Sequence, residues 1–227
     1  MCHTSSLPFT PLPGALAESR AIQEICRKKD WTIQMHTGPD ASEKQFKSLY
    51  AAPIPGILHI ASHAFSFGID SENTETSDPG TLGTMILGSD NPLLRSGILL
   101  NGAARSWLGR KDPQEEEDGI PTALELSALN FSQTDLIVLS ACNTGLGEYR
   151  NIEGIFGLQR ALKQAGARQI MMSLWLVPDQ QTSDLMVYFY EALTDGQNAE
   201  AALTYARRKM QEQGMNAAYW AGFVLLN

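Results

Sequence analysis

Cysteine is scarce in this chain. The three present, Cys2, Cys26 and Cys142, form an odd and widely spaced set, which argues against a disulfide framework and for a reducing compartment. Positive charge is also short. Seventeen Lys and Arg against 25 Asp and Glu leave a formal net charge of −8. A phosphate backbone demands a basic face, so direct nucleic-acid binding is not expected. The same sign leaves room for a basic substrate. No apolar run approaches the roughly 18–20 residues of a membrane span, and no charged-then-apolar leader opens the sequence. No membrane partner is expected, and the cytoplasm is the default location. Missing motifs narrow the chemistry further: there is no Gly-x-Ser-x-Gly elbow, Walker A loop, Gly-x-Gly-x-x-Gly fingerprint or Cys-x-x-Cys pair.

What remains is a chain of 227 residues, 43% hydrophobic and 19% charged, enough to bury one substantial core. Positions 1–11 are turn-rich and aperiodic and read as a tail or linker; 12–227 read as one domain. Helical spacing covers Gly14–Lys29, Ala41–Leu49, Ile152–Gln164, Gln180–Leu193 and Ala199–Gln211. Strand patterns cover Trp31–His36, Gly56–Ser62, Asp135–Ala141, Gln169–Leu176 and Trp220–Leu226. Thr81–Leu87 and Ser96–Leu100 read as short strands of a hairpin around Asn91-Pro92. Asp70–Gly80 and the charge run within Trp107–Gly119 read as exposed loops, the second with an accessible Gly-Arg-Lys sequence that a protease can reach. Strand–helix alternation in the last third predicts an α/β fold, with parallel strands covered by helices on both faces.

One stretch carries chemistry. Asp135-Leu-Ile-Val-Leu-Ser-Ala-Cys142 is a buried-strand run that ends on a thiol and breaks into Asn143-Thr-Gly145, a turn able to present backbone N–H groups. The carboxyl end of such a strand is where open α/β sheets place ligand and catalytic groups. The bland reading of Cys142 is an inert core thiol; the strand-end position and the following helix favour a reactive one. Gly56-Ile-Leu-His-Ile-Ala-Ser-His63 supplies two histidines. His59 sits inside the apolar run and reads as a hydrogen-bonded interior side chain. His63, at the run's edge, is the better base. A metal site needs a third ligand, and no other His lies nearby in sequence, so none is assigned. The amides of Cys142 and Ala64, at the mouths of the two strands, are the candidate oxyanion donors.

The segments Leu12-Pro-Gly-Ala15, Ile57-Leu-His-Ile-Ala-Ser-His-Ala64, Asn91-Pro-Leu-Leu-Arg-Ser-Gly97, Glu117-Asp-Gly-Ile-Pro-Thr-Ala123 and Val138-Leu-Ser-Ala-Cys-Asn-Thr-Gly145 resemble the CHAT domain family. So do Glu153–Ala161, Ser173–Asp179 and Tyr219–Leu225. Together they run nearly the whole chain in order. The resemblance implies a caspase-hemoglobinase-like three-layer sandwich with a mostly parallel central sheet flanked by helices. It also implies a Cys–His dyad peptidase, with Cys142 as nucleophile, His63 as base and no cofactor. Family members are related to separase and often accompany tetratricopeptide repeats, so the implied partners are a protein or peptide substrate and a repeat-domain or regulatory protein. The family usually carries Gly after the catalytic His; here it is Ala64, whose methyl alters backbone torsion or substrate clearance.

Trp175 and Asp179 resemble the Trp-x-x-x-Asp pattern that separase carries beyond its cysteine. A carboxylate at a pocket base favours Arg or Lys before the scissile bond. Asp179 is also well suited to cap the helix from Gln180, the favoured role of the two, and both can coexist. Asp184 is a further substrate-binding candidate, and Glu148 and Glu153 are placed along the loop and helix after the nucleophile. Two other readings stay open: a non-catalytic caspase-like interaction module acting with a repeat protein, and a thiol acyltransferase.

Overall fold

The computed structural model describes residues 9, 12–49, 54–67, 81–140 and 152–227, with the backbone alone for 152–156. The elements in chain order are α1 (Pro13–Lys28), α2 (Glu43–Ser48), β1 (Ile57–Ile60), β2 (His63–Ser66), α3 (Leu82–Leu87), β3 (Ser96–Leu99), α4 (Ala103–Trp107) and α5 (Ala123–Ser127). There follow β4 (Leu136–Leu139), α6 (Ile152–Gln164), β5 (Gln169–Ser173), α7 (Asp179–Thr194), α8 (Ala199–Glu212) and β6 (Phe223–Leu226). Four strands form the central sheet in the order β1-β4-β5-β6. The first three are parallel and β6 runs antiparallel to β5. None of the described helices is long and apolar enough to cross a membrane.

The layers follow from the two-residue period of a strand. Leu136 and Val138 of β4 and Met171 of β5 join the core against α1, α7 and α8, which contribute Ile22, Phe189, Leu203 and others. Ile137, Leu139, Ile170 and Met172 point the other way and pack on Phe46, Ala123, Leu126, Leu158 and Leu162 from α2, α5 and α6. Every residue of β4 is buried, so this strand is apolar on both faces, as a central parallel strand must be. The result is a helix–sheet–helix sandwich with a mostly parallel sheet, the architecture of a caspase-like fold.

A small antiparallel pair, β2 with β3, sits beside this sandwich, over a third apolar group of Phe65, Phe67, Ile86, Leu99, Trp107 and Ile120. Here the structure corrects the sequence-based expectations. The Gly56–Ser62 run does not continue as one strand into His63: it leaves the central sheet at Ile60, and His63 begins β2. Thr81–Leu87 is not a strand but helix α3, with the Thr81 hydroxyl accepting the Thr84 N–H as N-cap. The hairpin around Asn91-Pro92 is therefore absent, and β3 pairs back to β2 instead. Trp31–His36 adopts no strand.

Candidate functional site

Parallel pairing of β1 with β4 aligns Ile60 with Leu139, and the Ser140 N–H continues the ladder onto the Ile60 carbonyl at 3.1 Å. Both strands therefore reach the same carboxyl rim together. His63 lies three positions beyond Ile60 in sequence, and Cys142 three beyond Leu139. Cys142, its amide and Glu148 lie outside the described residues, as does the side chain of Glu153.

His63 is half-buried at the head of β2, opposite Leu99. The Ser62 hydroxyl donates to the Leu99 carbonyl and ties the turn between β1 and β2 to β3. A cavity of about 310 Å³ opens beside the imidazole, bounded by Phe9 and by Leu99–Arg105. Phe9 packs at a tilt beside the ring, centroid to centroid 6.1 Å at 38°, and edge-on to Trp107 at 5.7 Å. Sequence reasoning gave Phe9 no role, because a lone aromatic in a turn-rich stretch carries no local signal. The Ala64 amide is placed by the ladder. Phe67 N–H donates to Arg95 O at 2.9 Å, so by antiparallel alternation residues 63, 65 and 67 turn their amides toward β3. The Ala64 amide faces the opposite edge of the strand.

His59 shares the face of β1 that meets α1 and α7. Its Nε2 lies 2.7 Å from Glu18 Oε1, and its Nδ1 lies 3.0 Å from the Tyr190 hydroxyl. Glu18 is only 1% exposed. Burial pushes the Tyr190 phenol well above its ordinary value, helped by Cys26 and Glu18 nearby. The phenol hydroxyl and the Glu18 carboxylate thus give each ring nitrogen of His59 a hydrogen-bond partner. The interior role expected for His59 is therefore met by two named partners. Glu18 was the readable clue, a carboxylate in the helical stripe of Ile22 and Cys26.

Asp179 takes an unexpected partner. Helix α7 begins at Asp179 with Pro178 as its N-cap, and no side chain caps it. The Asp179 carboxylate instead accepts the Gly14 N–H at 2.5 Å, serving a first-turn amide of α1, whose own N-cap Leu12 offers no side-chain acceptor. A Cβ on Gly14 would lie 2.5 Å from Asp179 Cγ, so glycine is what permits the approach. Asp184 accepts from the Gln180 amide at 2.9 Å along α7. Trp175 stays 39% exposed, with exposed Leu174 and Leu176 beside it. Its indole N–H donates to Ala218 O at 2.7 Å, and its ring covers Gly222. Trp175 and Asp179 lie in the connection from β5 to the start of α7, beyond the rim that the parallel strands share, whereas Asp184 lies within α7.

A carboxylate group with metal-like spacing, Glu43, Glu117 and Glu125, is filled by an ammonium. Lys47 Nζ lies 2.8, 2.7 and 3.2 Å from the three. Burial pulls Lys47 down, but the hydrogen bonds it donates to Glu117, Glu43 and Glu125, with the charge of Glu43, outweigh it and hold the amine above its ordinary range. The charge run of the 107–119 loop is thus partly bonded: Glu117 to Lys47, Glu116 to Lys44 and Glu115 to Arg105.

The sequence matches the CHAT domain family model over residues 2–227. It is 33% identical over 107 residues to tetratricopeptide repeat protein 28 of Mus musculus, covering 46% of this chain and 4% of that protein. To tetratricopeptide repeat protein 28 of Homo sapiens it is 36% identical over 76 residues, 33% of this chain and 3% of that protein. The chain therefore spans a few per cent of the length of these curated relatives. With a family match over nearly every residue and a mostly parallel sheet between two helical layers, the chain belongs to the CHAT domain family, a family related to caspase-like peptidases.

Proposed function

We propose that the protein is a cysteine endopeptidase working through a Cys142–His63 dyad. The observation that carries this reading is the Ile60–Leu139 register, which brings the strands leading to His63 and Cys142 side by side to one rim. The His63 imidazole takes the thiol proton, and the thiolate forms a C–S bond to the scissile carbonyl carbon. Collapse of the tetrahedral species breaks the C–N bond, and His63 returns the proton to the departing amine. Water then hydrolyses the thioester and restores the thiol. The amides of Cys142 and Ala64 receive the developing oxyanion. The matched relatives are named for tetratricopeptide repeats, which supports a repeat protein as partner and a protein as substrate.

The test is cleavage of a basic-residue peptide library, with thiol-directed peptidyl probe labelling, in wild type, Cys142→Ala and His63→Ala. Loss of turnover and labelling in both variants is expected. Turnover that survives Cys142→Ala would sink the dyad. Partner binding without turnover in the wild type would identify the non-catalytic module instead.

A further inference from the structure

We propose that the cavity beside His63 is the subsite for the residue that follows the scissile bond, and that it selects an uncharged, apolar side chain there. The proposal rests on the reading of His63 as the base and narrows the substrate class of that site. In that reading His63 returns the proton to the departing amine, which requires the leaving nitrogen within about 2.6–3.2 Å of the imidazole. The residue carrying that nitrogen therefore lies against the ring, and its side chain is the one nearest the cavity that the ring bounds. The residue before the bond has its candidate carboxylate elsewhere, at Asp179 where α7 begins after β5.

The boundary sets what the cavity accepts. Its volume is about 310 Å³, at the small end of ligand pockets and suited to a single side chain. Among the described residues that bound it, the side chains are apolar except for His63, Asn101 and Arg105, and none is a carboxylate. Phe9 supplies an aromatic wall, tilted beside His63 and edge-on to Trp107. Leu99 and Ala103 are almost fully buried, whereas Asn101 and Arg105 are exposed. The buried part of the boundary is thus apolar and its rim polar, as in most sites that hold an apolar group in a fixed orientation. Charge then decides against cations. His63 becomes an imidazolium once it has taken the thiol proton, and Arg105 carries a guanidinium on the rim, paired outward with Glu115 at 2.8 Å. A Lys or Arg after the bond would face both positive groups, and like charges brought together work against the wrong substrate. Preference for charge therefore reverses across the bond: Asp179 favours a cation before it, and the cavity rejects one after it.

The test uses peptides with Arg before the scissile bond and Leu, Gly or Lys after it, and measures kcat/KM in wild type and in Ala104→Phe. Ala104 stands at the cavity boundary, partly exposed on α4, so a larger side chain there reduces the space. We expect the Leu peptide to exceed the Gly peptide at least about ten-fold in wild type, the Lys peptide to be the poorest, and Ala104→Phe to collapse the Leu-to-Gly ratio. The second readout needs no turnover. Leucine amide, glycine amide and lysine amide, mimics of the departing amine, are titrated into the Cys142→Ala protein while the His63 and Phe9 ring-proton NMR shifts are followed. Leucine amide should give saturable shifts, with glycine amide binding at least about five-fold more weakly. Equal kcat/KM for the three peptides would overturn the subsite and leave the dyad standing, as would equal binding of the three amides. Selective binding of leucine amide in a protein whose wild type turns over no peptide would keep the subsite and remove the dyad. The comparison among the amides alters no side chain of the cavity, so it decides even if the urea midpoint shows that Ala104→Phe is poorly folded.

Discussion

His59 Nε2 and Glu18 Oε1 are 2.7 Å apart in the layer between α1 and β1, with Glu18 almost fully excluded from solvent. Such a pair contributes little net energy while both members are present and a good deal when one is removed, because the survivor keeps its desolvation cost. Glu18→Ala is expected to lower stability by about 1–3 kcal/mol, and Glu18→Gln, which keeps an acceptor, by clearly less. Urea midpoints measure both. Equal losses in the two variants would mean that the negative charge of Glu18 carries the interaction and that a neutral acceptor of the same size does not replace it.

Lys47 and Glu43 give a pH-dependent prediction. Burial raises the Glu43 carboxyl above its ordinary value, with Lys47 opposing that rise through a hydrogen bond and its charge. An ionised Glu43 thus costs stability as pH climbs from its unfolded value of about 4.3 through the higher folded one, and Lys47 offsets that cost. The raised Lys47 amine contributes stability that is fully present below the ordinary lysine range and is lost as pH rises through its folded value. Lys47→Met leaves a buried charge unpaired, at a cost of about 3 kcal/mol at pH 8. Near pH 4.5, protonation of Glu43 relieves much of it, and about half the loss or less is expected. Urea titrations at the two pH values decide; the same loss at both would contradict the burial-dominated account of Glu43.

Gly119 ties this network to the cavity at His63. Its N–H donates to Glu43 Oε2 at 2.8 Å, its φ is 80°, and a Cβ there would meet Asn101 O at 2.5 Å and Ala103 N at 2.6 Å. Both contacts are backbone atoms of residues that bound the cavity, so relief requires the cavity wall to move. Gly119→Ala is expected to cost about 2–3 kcal/mol and to shift the His63 ring-proton resonances. Gly196→Ala is the control, with φ of 88° and nothing within 4 Å of the added methyl. It should cost only about 1 kcal/mol and leave His63 unmoved. Matching losses would show that conformational strain alone sets the effect.

The contrast between what was legible and what was not follows the range of the interactions. Leu136–Leu139 was readable because burial on both faces leaves an unbroken apolar run, and α7 and α8 because their apolar residues recur at helical spacing. His63 was readable as a residue, but not as the head of a separate strand. The break at Ala61-Ser62 is set by Ser62 reaching the Leu99 carbonyl, 37 positions away. Thr81–Leu87 misled because Thr, Met and Ile suit a strand, while the Thr81 cap and the Leu82–Ile86 spacing suit a helix; packing of Ile86 near Trp107 decided. The partner of Asp179 is 165 positions distant, and no local pattern points to Gly14.

That distant partner makes Asp179 the residue on which two roles can be separated. Asn at this position keeps an oxygen to accept the Gly14 N–H and removes the negative charge. If Asp179 serves α1 alone, Asp179→Asn should resemble wild type in stability and in cleavage, whatever residue precedes the scissile bond. If the carboxylate also reads a basic side chain, the same variant should keep its urea midpoint within about 0.5 kcal/mol, as expected where the only change is the charge at a surviving hydrogen bond. Its kcat/KM for Arg or Lys peptides should then fall at least about ten-fold, equivalent to losing roughly 1.4 kcal/mol of charge-assisted binding in the transition state. Cleavage of neutral peptides should stay level. We expect the second pattern, because the half-buried carboxylate follows the strand end on the rim that β1 and β4 share, and the Gly14 N–H engages its Oδ2, leaving Oδ1 to a guanidinium with five donors. A uniform fall for basic and neutral peptides alike would assign Asp179 to the support of α1 and remove it from substrate recognition.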